Sequence, residues 1–281
     1  MSEESPTPKP SEVCSVEAIK QASSPRRRFG DVERLVETTS TNELLVARAL
    51  DGAPDGSVIV ADRQSEGRGR RSRKWVSPPE GALLCSVLFR PALLLEEIHL
   101  LSSIVALGAL AAARATTGAG VMLKWPNDLV AGNKKVAGVL AELVSTAPPA
   151  VVVGIGCNLY WPAGWPPPSA GGAHRLGLKD AATLEDVTGR VVTRDEFLEA
   201  FLDELELLYD RLLAPGGPAR IAVAQRAACA TIGRRVRVET ETGALVGIAS
   251  GIRADGALEV EIDGVTRAFS VADVVHLRGG E

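Results

Sequence analysis

A run of cationic side chains interrupted by glycines is the most unusual chemical feature of this sequence. Six arginine and lysine residues fall within residues 63–74, together with Gly67 and Gly69. Glycine lets backbone N–H groups come close to a ligand, and each arginine presents a planar, charged fork that matches phosphate or carboxylate oxygens. The segment predicts an anion site, although a solvated basic loop or a nonspecific RNA contact would explain its composition equally well.

A second cluster combines a cation, an aromatic ring, an amide and a carboxylate in one turn. This is the sequence Lys-Trp-Pro-Asn-Asp at residues 124–128, and Lys135 follows it at the start of an apolar strand. Taken alone, an Asx turn would account for the first feature and a solvated strand-end lysine for the second. Their combination favours a site where cations and a carboxylate act together.

An apolar strand at residues 153–159 contains Gly154, Gly156 and Asn158. Glycine weakens a strand unless another group must approach its backbone closely, so such an approach is predicted here. A Rossmann dinucleotide site is excluded because there is no third glycine and Trp161-Pro162 stands where a helix would begin. The chain also lacks a GxxxxGK[ST] phosphate loop.

Two capped helices and a series of short apolar strands must position these segments. Ser40, followed three residues later by Glu43, predicts a helix that ends near Leu50. Thr193 and Glu196 predict a second, with leucines and Phe201 along one face, and a short helix follows near residue 222. The other expected elements are strands at 57–61, 83–89, 121–124, 129–130, 136–144 and 151–159, a turn at 132–133, a buried helix at 98–114, and loops at 62–80 and 160–177.

From about Ile232 the sequence changes to short alternating strands separated by glycine turns, which predicts a small β-barrel. The expected architecture is an α+β fold with this barrel at its C-terminal end. We divide the chain into a flexible leader at 1–29, a catalytic domain at 30–228 and a barrel domain at 229–281.

Composition excludes several classes of protein. The formal net charge of -4 gives no general attraction to nucleic acid or membranes, so an anion site must be local. The N-terminus has no apolar signal-peptide core and no run of about 18 apolar residues occurs, so a cytoplasmic protein without a membrane span is expected. The four cysteines are Cys14, Cys85, Cys157 and Cys229. Disulfides and zinc are not expected, because these cysteines form no CxxC pair and all but Cys14 lie in apolar stretches.

Together the motifs resemble the biotin protein ligase family, from about Val36 to the end of the chain. The family's Ser-Thr-Asn stands at 40–42, its Gly-Arg-Gly-Arg loop at 67–70 and its Lys-Trp-Pro-Asn-Asp at 124–128. Its lysine before an Ala-Gly strand is Lys135, and its Gly-Ile-Gly-x-Asn strand is 154–158. Two positions depart from the pattern and bear on loop geometry: Thr39 replaces an acidic residue, and Ser72 replaces a glycine.

The resemblance implies a mixed central sheet flanked by helices, as in class II aminoacyl-tRNA synthetases, with an SH3-like C-terminal barrel. It also implies an ATP-dependent ligase that forms biotinyl-5'-AMP and transfers biotin to a lysine of a biotin carboxyl carrier protein. We expect Mg²⁺ to arrive on the ATP phosphates, because no carboxylate cage is evident. The expected catalytic residues are Lys135, Arg68 and Asp128; those binding biotin are Ser40, Thr41, Asn42, Gln64, Arg68, Gly69, Arg70 and Lys135; those binding ATP are Arg70, Arg71, Trp75, Asn127, Lys135 and Asn158.

Features of the sequence count against three alternative functions. A lipoate or octanoate ligase needs a longer, wholly apolar acyl site, whereas Gln64 and the Ser-Thr-Asn motif suit a ureido ring. A biotin-responsive transcription regulator needs a DNA-binding domain, for which residues 1–35 are too few, so no DNA contact is expected. An RNA-binding module is not favoured, because the net charge of the chain is negative. A homodimer is left open.

Overall fold

The strands of the protein form two separate sheets. In the computed structural model, residues 28–166, 178–240, 243–270 and 272–277 are described. One sheet has seven strands and the other five. The first consists of β1 (Val32–Thr38), β2 (Val58–Gln64), β3 (Ala82–Phe89), β4 (Met122–Lys124), β5 (Asp128–Ala131), β6 (Lys134–Thr146) and β7 (Pro149–Asn158). The second consists of β8 (Arg235–Thr240), β9 (Gly243–Ile252), β10 (Leu258–Ile262), β11 (Val265–Phe269) and β12 (Asp273–His276).

Helices accompany the larger sheet. They are α1 (Thr41–Leu50), α2 (Leu100–Thr117), α3 (Leu184–Thr188), α4 (Arg194–Leu213) and α5 (Gly217–Ala228). The larger sheet has the order β1-β2-β3-β7-β6-β5-β4, and the smaller has the order β11-β10-β9-β8-β12. The first pair of the larger sheet, β1 with β2, is parallel and its other neighbours are antiparallel. The expected mixed sheet with flanking helices is therefore confirmed, as is the all-β C-terminal region.

Both predicted helix caps are present. Ser40 accepts a hydrogen bond from the Glu43 backbone N–H at 3.5 Å, and Thr193 accepts one from that of Glu196 at 3.2 Å. The apolar face predicted for α4 is entirely buried: Leu198, Phe201, Leu205, Leu208 and Leu212. The local patterns sufficed here because a cap and an amphipathic face are encoded within one helix.

The end of β2 was predicted wrongly. Residues 62–64 were placed in a polar loop, but β2 continues through them because β1 extends the pairing as far as Thr38 with Gln64. The strand β1 is an edge strand with much of its surface exposed, so its partner needs no apolar residues at this end. As a result, Gln64 lies at a strand end beside the start of α1.

Helices cover both faces of the larger sheet. Along β3, Leu83, Cys85 and Val87 join the core cluster formed with α2 and α4, whereas Leu88 joins a smaller cluster with α1. Side chains alternate between the faces of a strand, so a strand covered on both sides is apolar throughout. Burial also raises the pKa of the Cys85 thiol to about 12, as expected for a thiol that serves as a small hydrophobe.

The segment Leu95–Thr117, which includes α2, is long and apolar enough to cross a membrane by length and composition. However, 72% of its most apolar window is buried within the protein. It packs against α4, α5 and the larger sheet. Core packing thus accounts for its apolar character.

The first described residues are part of the folded core. Phe29 is fully buried, and its ring centroid lies 5.9 Å from that of Phe89 and 6.0 Å from that of Tyr209. Arg28 pairs with Asp210 at 2.7 Å. The predicted flexible leader of 1–29 therefore extends too far, because Phe29 fills a gap between sheet and helix. The rest of that leader lies outside the described residues, as does 167–177 of the predicted surface loop.

We predict that Phe201→Ala lowers the free energy of unfolding by about 3–5 kcal/mol, because it empties a fully buried site between α2 and α4. Chemical denaturation measures the loss. The control is Leu207→Ala on the same helix, where the side chain is 38% exposed and a change under about 0.5 kcal/mol is expected. Equal losses for both variants would contradict this account of the core.

Candidate active site

A cavity of about 380 Å³ opens between the larger sheet, the loop after β2 and the second sheet. Its volume suits a small-molecule ligand. Arg68 and Lys135, which lie 67 positions apart in the chain, both line it. Of the predicted site residues, all but Arg71 line this cavity: Ser40, Thr41, Asn42, Gln64, Arg68, Gly69, Arg70, Trp75, Asn127, Asp128, Lys135 and Asn158.

Lys135 is held at the cavity by adjacent strands. Its ammonium Nζ lies 2.6 Å from Oδ1 of Asp128, which begins the neighbouring strand β5. The same Nζ lies 5.7 Å from the centre of the Trp75 ring. The Lys135 backbone N–H donates to the carbonyl of Asp180, and its carbonyl accepts from Ala182. The lysine thus keeps its charge paired while it faces the cavity.

The arginine loop, which we define as residues 67–75, is a narrow hairpin. The Trp75 N–H donates to the Gly67 carbonyl at 2.8 Å, and the Gly69 N–H donates to the Arg73 carbonyl at 2.7 Å. A Cβ at Gly67 would lie 2.6 Å from the Trp75 carbonyl oxygen, so this close crossing requires glycine. The tip residue Arg71 has φ 53° and ψ 43°, a left-handed conformation that costs about 1–2 kcal/mol for a residue with a side chain.

The arginines of this loop point in different directions. Arg70 reaches across the cavity and donates to Oδ1 of Asn127 at 3.4 Å. Burial lowers the pKa of the Arg70 guanidinium, and the carboxylate of Asp273 opposes that shift. Arg71 instead lies outside the cavity lining and donates to Asp273 at 3.2 Å. Its predicted contact with ATP stays a prediction, and this geometry does not favour it.

The glycines of β7 were predicted to let another group approach the strand backbone closely. Two side chains of the protein itself do so. The Trp75 indole covers Gly156, where a Cβ would overlap the indole carbon Cε2. Oδ1 of Asn42 covers Gly154 in the same way. The two glycines therefore let an aromatic ring and an amide lie flat on the strand and form the floor of the cavity.

A buried hydrogen-bond network fixes the start of α1. Ser86 on β3 is fully buried, and its Oγ lies 2.6 Å from Oδ1 of Asn42 and 2.7 Å from Oγ1 of Thr41. Oε1 of Gln64 accepts from the Thr41 backbone N–H at 2.8 Å. The Nε2 amide of Gln64 takes no part in this network and can donate to a ligand. Ser86 was not predicted as a site residue; the available signal was a lone hydroxyl in a strand of apolar residues.

The side-chain amide of Asn42 makes hydrogen bonds within the protein that its predicted role in biotin binding did not include. Its Nδ2 group donates to the Leu140 carbonyl at 3.1 Å and to Oε2 of Glu142 at 2.8 Å. Because both amide hydrogens have protein partners, Asn42 organises the cavity floor and has little left to donate. The other carboxylate oxygen of Glu142 lies 3.5 Å from Nη1 of Arg68. Glu142 thus links the floor to the arginine loop.

Two further residues near the cavity carry shifted pKa values. Burial lowers the pKa of Lys124, which lines the cavity, while Asp128 opposes that shift and Lys135 adds to it. Burial and the charges of Lys124 and Arg234 lower the pKa of His276 to about 4, so this ring is neutral at pH 7. Sequence reasoning placed Lys124 in a motif but gave it no role.

Polar atoms without protein partners mark the other side of the cavity. Asn158 donates from Nδ2 to the Ala182 carbonyl at 3.2 Å, while its buried Oδ1 has no hydrogen-bond partner among the described residues. The same holds for Nε1 of Trp75. A buried polar atom without a partner costs about 1–3 kcal/mol, so these two atoms are suited to a ligand that supplies a donor and an acceptor.

A dedicated metal site does not fit these residues. In the part of the chain that the structure describes, no group of three or more histidine, cysteine or acidic side chains could hold a metal ion. Of the carboxylates that line the cavity, those of Asp128, Glu239 and Asp273 are already paired with cations. A Mg²⁺ ion that accompanies a nucleotide would therefore rely on the phosphate oxygens.

The fold and the cavity define an enzyme class: a ligase whose cationic cavity brings anionic groups together. Over 252 residues the chain is 36% identical to the biotin--[acetyl-CoA-carboxylase] ligase of Mycobacterium tuberculosis, which covers 87% of this chain and 88% of that protein. It is 35% identical to the enzyme of the same name from Paracoccus denitrificans, with 80% and 91% covered.

Structure and domain comparisons agree with these relatives. Residues 33–158 match the biotin/lipoate A/B protein ligase family, and residues 231–277 match the biotin protein ligase C terminal domain. The solved structure of the biotin protein ligase from Aquifex aeolicus in complex with biotin and ATP superposes with a TM-score of 0.74 at 27% identity, covering 89% of this chain and 100% of that one. The chain belongs to the biotin protein ligase family.

We predict that Gly156→Ala displaces the Trp75 indole and weakens ligand binding at the cavity by about 10-fold or more, because the added Cβ overlaps the ring. The tryptophan fluorescence of the protein, compared between variant and unaltered chain, reports the displacement of Trp75, and calorimetric titration with ATP and biotin measures binding. The control, Gly120→Ala, adds a methyl group where no atom lies within 4 Å and should change neither. Unchanged fluorescence in Gly156→Ala would contradict the proposed packing.

Proposed function

We propose that this protein is an ATP-dependent biotin protein ligase. It joins the carboxylate of biotin to the α-phosphate of ATP, releases pyrophosphate, and passes the biotinyl group from AMP to a lysine of a biotin carboxyl carrier protein. The observation that supports this best is the single cavity lined by Arg68, Arg70 and Lys135 above a floor of Gly154 and Gly156.

The first step must bring two anions together. At about 4 Å, two unit charges repel by roughly 4 kcal/mol at an effective dielectric of 20, and a polyphosphate adds to this. The guanidinium groups of Arg68 and Arg70 and the ammonium of Lys135 line one cavity and offset that repulsion. We assign Arg68 and Lys135 to the carboxylate and the attacked phosphate, because both their current partners are single carboxylates that the substrates can replace.

The biotin end is assigned to the start of α1. The ureido group of biotin needs both a donor and an acceptor, and an unpaired buried group costs about 1–3 kcal/mol. The free Nε2 of Gln64 is a donor toward the ureido oxygen, and the hydroxyls of Ser40 and Thr41 lie beside it in the cavity lining. Asn42 holds this end in place through Ser86 and Glu142.

The nucleotide end is assigned to Trp75 and Asn158. Trp75 covers Gly156 and offers a ring face and an unpaired Nε1, and Asn158 offers an unpaired Oδ1. We assign Asn127 an indirect role in nucleotide binding, because its Oδ1 accepts from Arg70 and its Nδ2 donates to the Val139 carbonyl. The amide of Asn127 therefore orients an arginine toward the phosphates.

In the second step, the amine of the acceptor lysine attacks the acyl carbon of the adenylate, and AMP leaves. An unperturbed lysine has a pKa of about 10.4, so a nearby base must take its proton. Asp128 is the proposed base. This role is supported by the position of its carboxylate, which lines the cavity and contacts Lys135, one of the two cations that we assign to the substrate carboxylate and phosphate.

The partners follow from the reaction: biotin, ATP and a biotin carboxyl carrier protein or domain. A cytoplasmic location, a homodimer, and the absence of contacts with DNA or membranes stay predictions.

The proposed function is tested by incubating the purified protein with ATP and labelled biotin. Biotinyl-AMP and pyrophosphate should form, and addition of a biotin carboxyl carrier domain should then yield one labelled lysine per domain. Labelled lipoate and octanoate serve as competing substrates. Formation of the lipoyl or octanoyl adenylate in place of biotinyl-AMP would overturn the assignment of the substrate.

We predict that Lys135→Ala lowers the rate of adenylate formation by about 100-fold or more, because it removes a cation from the transition state. Pyrophosphate release with ATP and biotin measures this rate. The matched control is Lys134→Ala at the adjacent exposed position of β6, which should keep nearly full activity. If Lys135→Ala is as active as this control, its assigned role is wrong.

We predict that Asp128→Asn slows transfer from preformed biotinyl-AMP by about 100-fold, since it removes the proposed base. Adenylate formation should fall by less than about 10-fold, because the Asn side chain keeps a hydrogen-bond contact with Lys135. Single-turnover assays of each half-reaction separate the two effects. Equal losses in both would mean that Asp128 only orients Lys135.

A further inference from the structure

The arginine loop is tied to the second sheet by one carboxylate. Asp273 is the first residue of β12, and its Oδ2 accepts from Nη1 of Arg71 at 3.2 Å. Arg73 donates to the same oxygen. The side chain of Asp273 is only 16% exposed, whereas those of Arg71 and Arg73 are 37% and 64% exposed, so a largely buried acceptor holds two arginines at the protein surface. Two arginines at the tip and outer arm of the loop thus converge on one acceptor about 200 positions away in the chain.

The convergence of these arginines matches the backbone of the loop. Arg71 occupies the hairpin tip in a left-handed conformation, is not among the residues that line the cavity, and pairs with Asp273 of β12. Arg68, Arg70 and Arg73, in contrast, line the cavity. A left-handed tip that carries a side chain needs an interaction that favours it, and the pair with Asp273 supplies one. Asp273 thus holds one arginine outside the cavity lining, Arg71, and one within it, Arg73.

The position of Asp273 also distinguishes it from an ordinary surface partner. It lines the cavity itself, and its charge acts on Arg70 and Lys124 as well as on its two direct partners. The second sheet therefore places a negative charge among cations that would otherwise repel one another. Without it, Arg71 and Arg73 would lose their shared partner and would be free to compete for the same phosphate oxygens.

We propose that Asp273 is a positioning residue, through which the second sheet holds the arginine loop in the conformation that binds the polyphosphate. This inference rests on the proposed function for its kinetic consequences. Asp273 acts through its direct partners Arg71 and Arg73, by keeping Arg68 and Arg70 directed into the cavity. When the Asp273 carboxylate is removed, ATP must order the arginine loop as it binds, which weakens ATP binding.

The test compares Asp273→Asn with Asp273→Glu and with Asp263→Asn. The first removes the charge at nearly constant shape, and the second keeps it. The control Asp263→Asn makes the same chemical change in an exposed turn of the same sheet, between β10 and β11. Pyrophosphate release gives kcat and the KM values for ATP and biotin, and thermal unfolding reports on the fold.

We expect Asp273→Asn to raise the KM for ATP about tenfold, equivalent to about 1.4 kcal/mol of binding, with kcat changed by less than about threefold. Asp273→Glu should recover most of this loss, and Asp263→Asn should match the unaltered protein. Adding Arg71→Gln to Asp273→Asn should cause little further change, because both remove the same contact. An unchanged KM would overturn the proposal, and a lowered KM would show that Asp273 competes with the phosphates instead.

A second measurement does not depend on catalysis. The arginine loop contains several trypsin sites, which Asp273→Asn leaves intact. Brief trypsin digestion followed by mass spectrometry should show cleavage within residues 67–75 about tenfold faster in Asp273→Asn than in the control, since cleavage follows the population of opened loop. Unchanged cleavage would overturn the proposal even if the protein is a biotin ligase. Faster cleavage in a protein that makes no biotinyl-AMP would instead reject the proposed function.

Discussion

The mutual repulsion of cations gathered in one cavity is the constraint on which the rest of the structure depends. Arg68, Arg70 and Lys135 must face a shared space in a protein whose net charge is -4. Each therefore has a neutralising or polar partner from a different element. These partners are Glu142 for Arg68, Asn127 for Arg70 and Asp128 for Lys135, and Asp273 pairs with Arg71 and Arg73. The cations remain available to anionic substrates because these partners are single contacts that a ligand can replace.

The buried strands beneath the cavity hold its cationic side chains in fixed positions. The strand β7 packs against α1 on one face and α2 on the other, and its glycines let Trp75 and Asn42 lie against its backbone. The polar groups beneath this floor are satisfied through Ser86 and Glu142, so no amide hydrogen of Asn42 is left unpaired. A fully satisfied buried network holds its members in one geometry, which a site for a rigid bicyclic ring requires.

The second sheet and the segment before it hold two parts of the cavity wall: the turn that contains Trp125, and the arginine loop. Trp125, in the turn before β5, is buried in the core of the second sheet and donates from Nε1 to the Gly256 carbonyl at 3.0 Å. Its backbone N–H donates to the hydroxyl of Thr231, also at 3.0 Å. The turn that carries Asn127 and Asp128 and the loop that carries the arginines are thus both anchored to the same β module. The site is shared by the two sheets, and neither sheet forms it alone.

Local sequence determined four of the five described helices and most strand centres, because caps, periodicity and glycine positions act within a few residues of one another; the edge strand β1 and the short helix α3 were not predicted. Ser40, Thr193 and the apolar face of α4 were predictable for that reason, and the motifs of Arg68, Lys135 and Asn158 pointed to residues that line one cavity. Only the tertiary structure decided that Phe29 belongs to the core, that Ser86 supports Asn42, and that Arg71 turns outward to Asp273. These contacts join residues from 44 to about 200 positions apart, and no local preference specifies such partners before the chain has folded around a common core.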